Sequence, residues 1–193
     1  LGDYETEKAK AENKNVFSIL DSEAEKVPAG SEGLIFLPYL TGERAPVNDP
    51  NAKGAFLGIT SRHGKGHFAR AVMEGVAFSL KQVYGVIAEA GKCDGSNEIV
   101  IAGGGAKSKV WQQIFADTFN LPVRTVYGSS EGGSFGAALV AGVTAGLFEN
   151  LSQTVPFIES SGSTMPNAEN TGVYDLQYQK YVKFYDALKW SYR

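Results

Sequence analysis

The sequence predicts an α/β fold, a mixed sheet with helices on both faces, from three observations. First, the apolar run Ile99-Val100-Ile101-Ala102 leads into Gly103-Gly104-Gly105. A short β-branched run bounded by glycine is a buried-strand signal. The segment from Lys107 to Phe119 then places Val110, Trp111, Ile114, Phe115, Thr118 and Phe119 at helical spacing, so the glycine turn opens a helix. Second, Pro122–Tyr127 reads as another strand, followed by a turn and a helix from about Ser134 to Leu147. A β-α-β-α run demands a parallel pair. Third, the strands Gly33–Leu37 and Gly54–Ile59 are close enough in sequence to pair antiparallel.

In chain order, Leu1–Asn15 is charged and reads as loop or frayed helix. Val16–Val27 carries a short helical stripe ended by Pro28-Ala29-Gly30. The first strand stops at Pro38. A long loop, Thr41–Lys53, follows, rich in Gly, Pro, Asn and Asp. Such loops are often functional, and its Arg44 either pairs with a local carboxylate or meets a ligand. The longest helix is His67–Ala90, with Phe68, Val72, Val76, Leu80, Val83 and Ile87 as its core stripe. Arg70 and Glu74 are four apart and suit a surface pair. His63 and His67 are also four apart, but Gly64 and Gly66 flank Lys65 and break the helix a two-His metal site needs. Both therefore read as solvent-facing or loop-stabilising. The helix 134–147 carries Gly136, Ala137, Ala138, Ala141, Gly142 and Ala145, small enough for another backbone to approach, beside either the sheet or the glycine turn. Ser152–Gly172 reads as a loop-dominated connector. The last helix, Tyr174–Trp190, sets Tyr174, Tyr178, Tyr181, Tyr185 and Leu188 on one side.

The 193 residues suffice for one domain with a substantial core. A net charge of −3 argues against nucleic-acid binding. The single cysteine, Cys93, can form neither an internal disulfide nor a zinc site, which fits a reducing, cytoplasmic compartment. The most apolar stretch, Phe135–Phe148, is about 14 residues long and too short to cross a bilayer. No secretory signal is visible, and a first residue that is Leu1 rather than Met points to a piece of a longer polypeptide.

The glycine turn is the candidate binding site. Glycine lets a ligand lie against bare backbone, and a helix start offers unpaired N–H groups that suit phosphate. Gly103, Gly104, Gly105, Lys107 and Ser108 are the candidate residues. Two familiar phosphate loops are excluded. Ala106 separates Gly105 from Lys107-Ser108, against the Walker pattern, and Ser108 stands at the last glycine of G-x-G-x-x-G. Gly128-Ser129-Ser130-Glu131-Gly132 matches the G-x-S-x-G nucleophile elbow. That fold takes its histidine from downstream of the serine, whereas His63 and His67 lie upstream. A tight turn is the better reading.

Together these residues resemble the C-terminal half of the FGGY carbohydrate kinases. Gly54, Phe56, Gly58, Ile59, then His67, Phe68, Ala71, Val72, Met73 and Glu74 meet every element of the family's second signature. The block from Gly33 through Leu37-Pro38-Tyr39-Leu40-Thr41-Gly42-Glu43-Arg44-Ala45-Pro46 adds to it. So do Gly103-Gly104-Gly105-Ala106-Lys107-Ser108 with Trp111 and Ala116-Asp117, and Gly136-Ala137-Ala138. The match looks nearest to the xylulose-phosphorylating members, with the gluconate-phosphorylating members next.

The resemblance implies an actin-like, ribonuclease-H-like lobe, here residues 1–193, that binds ATP with Mg²⁺ for transfer to a sugar hydroxyl. Gly104 and Ser108 occupy nucleotide-touching positions. Some relatives carry Asn where Ser108 stands. The family's catalytic aspartate, its first phosphate loop and most sugar contacts belong to an N-terminal lobe upstream. No catalytic and no metal-ligating residue is therefore assigned here, and the 193 residues alone are expected to be inactive. The expected partners are ATP and a sugar, with a homodimer left open. A fold-retaining, non-catalytic binding module is the alternative of a different class.

Overall fold

The computed structural model describes residues 2–91, 97–128 and 132–192. Two helices open the chain: α1, Asp3–Ala11, and α2, Val16–Glu25. The frayed start is a formed helix because Glu5 serves it twice. Its carboxylate accepts the Gly2 N–H at 3.1 Å and pairs with Lys65. Asn15 caps α2 by accepting the Phe17 N–H at 2.9 Å.

Strands β1, Ile35–Leu37, and β2, Ala55–Leu57, pair antiparallel with Ile35 opposite Leu57. Between them the loop is pinned at its waist. Glu43 and Asp49 exchange backbone hydrogen bonds of 2.9 and 2.8 Å, and the Asp49 carboxylate accepts from Tyr185 Oη at 3.0 Å. Among the described residues Arg44 forms no ion pair. It stands exposed, with neither of its two readings decided by a contact among the described residues.

Helix α3 runs Lys65–Glu89. It starts earlier than the sequence suggests, and Gly66 sits inside it. A Cβ there would lie 2.5 Å from the Glu23 carbonyl oxygen, so this glycine lets α3 pack against α2 instead of breaking the helix. His63 precedes the helix, and its Nδ1 accepts the Thr60 N–H at 3.1 Å. His67 Nδ1 accepts the Gly64 N–H at 3.1 Å. Both histidines stabilise the turn.

The buried face of α3 is Arg70, Ala71, Glu74, Gly75, Ala77 and Phe78. The expected core stripe is not that face, for Val72, Leu80 and Ile87 remain exposed. The reason is steric. A Cβ on Gly75 would come within 2.3 Å of the Phe36 carbonyl oxygen, so the small residues make the closest contact with β1. The larger stripe instead lines grooves on the next face. The Arg70–Glu74 pair is likewise not at the surface. The two side chains meet at 2.8 Å in the interior, where Gly30 N, Ser31 Oγ and Tyr174 Oη also donate to Glu74.

The second sheet is mixed. Strand β3, Ile99–Ile101, pairs parallel with β4, Val123–Val126, across α4, Lys109–Phe119. Antiparallel to β4 runs β5, Ser160–Thr164, inside the stretch read as a connector. Its residues carry no apolar signal. It is held by the β4 ladder and by Ser161 Oγ donating to Thr125 Oγ1 at 3.0 Å and Thr164 Oγ1 to Gln112 Oε1 at 3.0 Å. Among the described residues β1–β2 remains a separate two-stranded sheet.

Helix α5, Gly132–Thr144, begins against the end of β3, where a Cβ on Gly132 would sit 3.1 Å from Ala102 Cβ. Helix α6, Ala168–Leu188, closes the core with Tyr174 and Tyr181 fully buried and Tyr178, Tyr185 and Leu188 packed alongside. These meet β1, Phe78 of α3, and Ile114 and Ala116 of α4. Cys93 and Ser130 lie outside the described residues.

Candidate functional site

The segment after β3 does not enter α4 directly. Gly104–Lys107 form a 3₁₀ turn, and Ser108 is the N-cap of α4, its Oγ accepting the Trp111 N–H at 3.1 Å. The turn is clamped from below by Gln112, a residue the sequence does not single out. Buried Gln112 donates from Nε2 to the Ala106 carbonyl at 2.7 Å, and its Oε1 accepts from Lys109 and Thr164. A glutamine on a predicted helix gives no signal of this role, because the partners come from β5 and the turn.

The three glycines are bare for different reasons. Gly103 has φ +85° and ψ −171°, a conformation open in practice only to glycine. At Gly105 a Cβ would strike the Trp111 ring at 2.8 Å, so part of the expected hollow is filled by an indole. At Gly104 a Cβ would meet nothing within 4 Å. The fold itself does not require glycine there.

Gly104 borders a cavity of about 520 Å³, a size suited to a small organic ligand. Phe17 and Leu20 of α2, Met73 of α3 and Trp111 of α4 form its apolar wall. Asp21, Lys107 and Ser108 supply polar groups. Lys107 is exposed, while Ser108 keeps only 8% of its surface. Burial pushes the Asp21 carboxyl above the usual carboxylate range. The Ser108 hydroxyl opposes that shift, and Glu25 adds to it. Gly103, Gly104, Gly105, Lys107 and Ser108 are thus brought together, with Lys107 and Ser108 facing the same cavity as Gly104 and Gly105. Asp21, four residues beyond Phe17 on α2, joins them, a residue that the helical stripe of Val16–Val27 does not single out. Among the described residues no group of three or more His, Cys, Asp or Glu is placed to hold a metal ion.

A family model described as the FGGY family of carbohydrate kinases, C-terminal domain, matches residues 3–145. The chain belongs to the FGGY family of carbohydrate kinases. Xylulose kinase of Staphylococcus epidermidis is 38% identical over 179 residues, 92% of this chain and 35% of that protein. The structure of gluconate kinase from Lactobacillus acidophilus superposes with TM-score 0.77 at 36% identity, over 90% of this chain and 35% of that one. Xylulose kinase from the same organism gives TM-score 0.78 at 34% identity, over 99% of this chain and 39% of that one. The FGGY chain described here therefore spans about a third of the length of the relatives it matches. No described helix is long and apolar enough to cross a membrane.

Proposed function

We propose that this FGGY chain is the nucleotide-binding lobe of an ATP-dependent sugar kinase acting on a pentulose, with D-xylulose converted to xylulose 5-phosphate. The observation that carries the reading is Gly104, a position without a side chain and without a steric reason for lacking one, on the rim of a cavity sized for a nucleoside. Backbone at Gly103, Gly104 and Gly105 lets ATP approach closely. Lys107 neutralises phosphate charge, and Ser108, already spent on the α4 cap, holds the turn in register. Mg²⁺ usually keeps several waters and binds through substrate phosphates. A lobe without an acidic cluster among its described residues is compatible with that mode. The general base and the sugar pocket belong to a second lobe, and phosphoryl transfer depends on positioning and charge neutralisation from both sides. The kinase is proposed to be cytoplasmic, and exposed Val140 and Leu147 by α5 leave surface for a homodimer contact.

The test is a titration of the chain with ATP and Mg²⁺, followed by amide chemical shifts. Shifts centred on Gly104 and Ser108 that vanish in Gly104→Val support the reading. Saturation with no change at this turn leaves the fold as a non-catalytic module. With the complete kinase polypeptide, faster turnover on D-xylulose than on gluconate supports the pentulose assignment. The gluconate kinase likeness at 36% identity makes the reverse order the second reading.

A further inference from the structure

We propose that Gln112 and Thr164 act as one positioning unit for the glycine turn, through which the end of β5 sets the shape of the proposed nucleotide site. The inference rests on the nucleotide reading above and concerns two residues that do not line the cavity. It starts from a carbonyl. Within the turn, Ala106 N donates to the Gly103 carbonyl and Ser108 N to the Gly105 carbonyl, and the Ser108 carbonyl accepts from Gln112 N. The Ala106 carbonyl is left over, on a buried residue. A buried carbonyl needs a donor, and Gln112 Nε2 supplies it at 2.7 Å. Helical side chains lean back toward the N-terminus, so a residue near the start of α4 can reach the turn ahead of it.

The Gln112 amide has one orientation that satisfies its surroundings. A lysine only donates, so the amide oxygen faces Lys109 Nζ at 3.1 Å and Thr164 Oγ1 at 3.0 Å, which leaves Nε2 for Ala106. Thr164 is itself a fixed point. It stands opposite Val123 of β4, and the next carbonyl, that of Met165, accepts from Gln113 Nε2 at 3.0 Å. In the sheet β4 separates β5 from β3, yet one side chain carries β5 to the turn that follows β3. A peptide unit is planar, so holding the Ala106 carbonyl also fixes the plane of the Lys107 nitrogen. Gly105 and Lys107, on either side of Ala106, line the cavity, and Ala106 does not. Gln112 therefore grips the turn from behind and orients the two residues that face the ligand.

The test compares amide spectra and ATP titrations of the 193-residue chain as wild type, Thr164→Val, Gln112→Met, Gln112→Glu, the Thr164→Val/Gln112→Met double variant and Ser161→Ala. The last removes the β5 hydroxyl bonded to Thr125 of β4 without touching Gln112. In the absence of nucleotide, Thr164→Val should displace the resonances of Gly103, Gly104 and Gly105, and Ser161→Ala should leave them in place. Thr164→Val should weaken ATP about three- to tenfold, and Gln112→Met about tenfold or more. Adding Thr164→Val to Gln112→Met should cost nothing further, because the unit is already broken. Gln112→Glu keeps the shape and the acceptor for Thr164 but lacks the donor for Ala106. It should match Gln112→Met, and it reads the same loss if the methionine variant folds poorly.

If ATP affinity and the glycine resonances stay at wild-type values in Thr164→Val and Gln112→Glu while the urea midpoint falls, both residues are merely structural and the inference is overturned. Full additivity of the two substitutions in ATP affinity overturns it as well. A wild-type chain that gives no ATP-dependent shifts, or a Gly104→Val chain that binds as wild type, overturns the nucleotide reading itself. The nucleotide-free glycine resonances then still decide whether Thr164 governs the turn.

Discussion

Three adjacent glycines look alike in a sequence and differ in a structure. Gly103 answers to backbone conformation, Gly105 to the Trp111 ring and Gly104 to neither. Alanine substitution should separate them by thermal or urea unfolding. Gly103→Ala should cost about 1–3 kcal/mol through backbone strain. Gly105→Ala should cost about 1–3 kcal/mol through overpacking against the indole. Gly104→Ala should stay within about 0.5 kcal/mol and yet weaken ATP. Equal stability losses at Gly104 and Gly105 would remove the distinction. The triplet and its strand-to-helix setting were legible in the sequence because glycine and periodicity are local signals. The division of labour was not, because Trp111, six residues from Gly105, turns its ring back over the turn. Asp21 was hidden for a related reason, since an acid on a short amphipathic helix reads as solvated until α2 is seen packed across the turn.

At the level of elements, α3 and α6 are joined by a buried polar cluster. Glu74 accepts from Arg70, Gly30, Ser31 and Tyr174, and Arg70 also donates to Tyr174 Oη at 2.8 Å. Removing one partner strands the other's charge in the interior. Glu74→Gln should cost about 3–5 kcal/mol, and Arg70→Met added to it should recover part of that loss. Urea midpoints of the two variants decide it. The i, i+4 spacing made the pair legible. Its burial was not, because the partners on Gly30, Ser31 and Tyr174 are 40 or more residues away in sequence.

A second α6 contact gives pH dependence. Tyr181 Oη donates to Tyr39 Oη at 3.0 Å, and burial pushes the Tyr39 phenol up to about 12. The unfolded phenol releases its proton near ~10. Between these values the folded state holds more protons than the unfolded one, so stability falls as pH rises through that window and is unaffected by Tyr39 below it. The urea midpoint should drop between about pH 10 and 12, less steeply in Tyr39→Phe. An unchanged slope in that variant would discount this phenol.

For the molecule as a whole, the chain spans about a third of the length of the FGGY kinases it matches, and the proposed function leaves the general base outside it. Transfer to a sugar hydroxyl needs a general base within hydrogen-bond reach of that hydroxyl. The buried carboxylates among the described residues are already committed. Glu5 holds Gly2 and Lys65. Glu74 accepts four donors. Asp117 accepts from Gln113, the Asn167 N–H and Asn170 at 2.7, 2.7 and 2.8 Å, tying α4 to the start of α6. A carboxylate whose oxygens already accept these hydrogen bonds has to give them up before it can reach a sugar hydroxyl.

Asp21 lines the proposed nucleotide cavity itself, on its α2 side, and the sugar is proposed to be held by a second lobe. The 193-residue chain with ATP, Mg²⁺ and either D-xylulose or gluconate should therefore release no sugar-dependent ADP in a coupled assay, even at concentrations where ATP shifts the Gly104 resonance. Supplying the proposed second lobe should give turnover without changing the position of those shifts. Sugar-dependent ADP from the chain alone would mean that one of these committed carboxylates leaves its partners to act as the base, and Asp117→Asn and Glu74→Gln would then identify which.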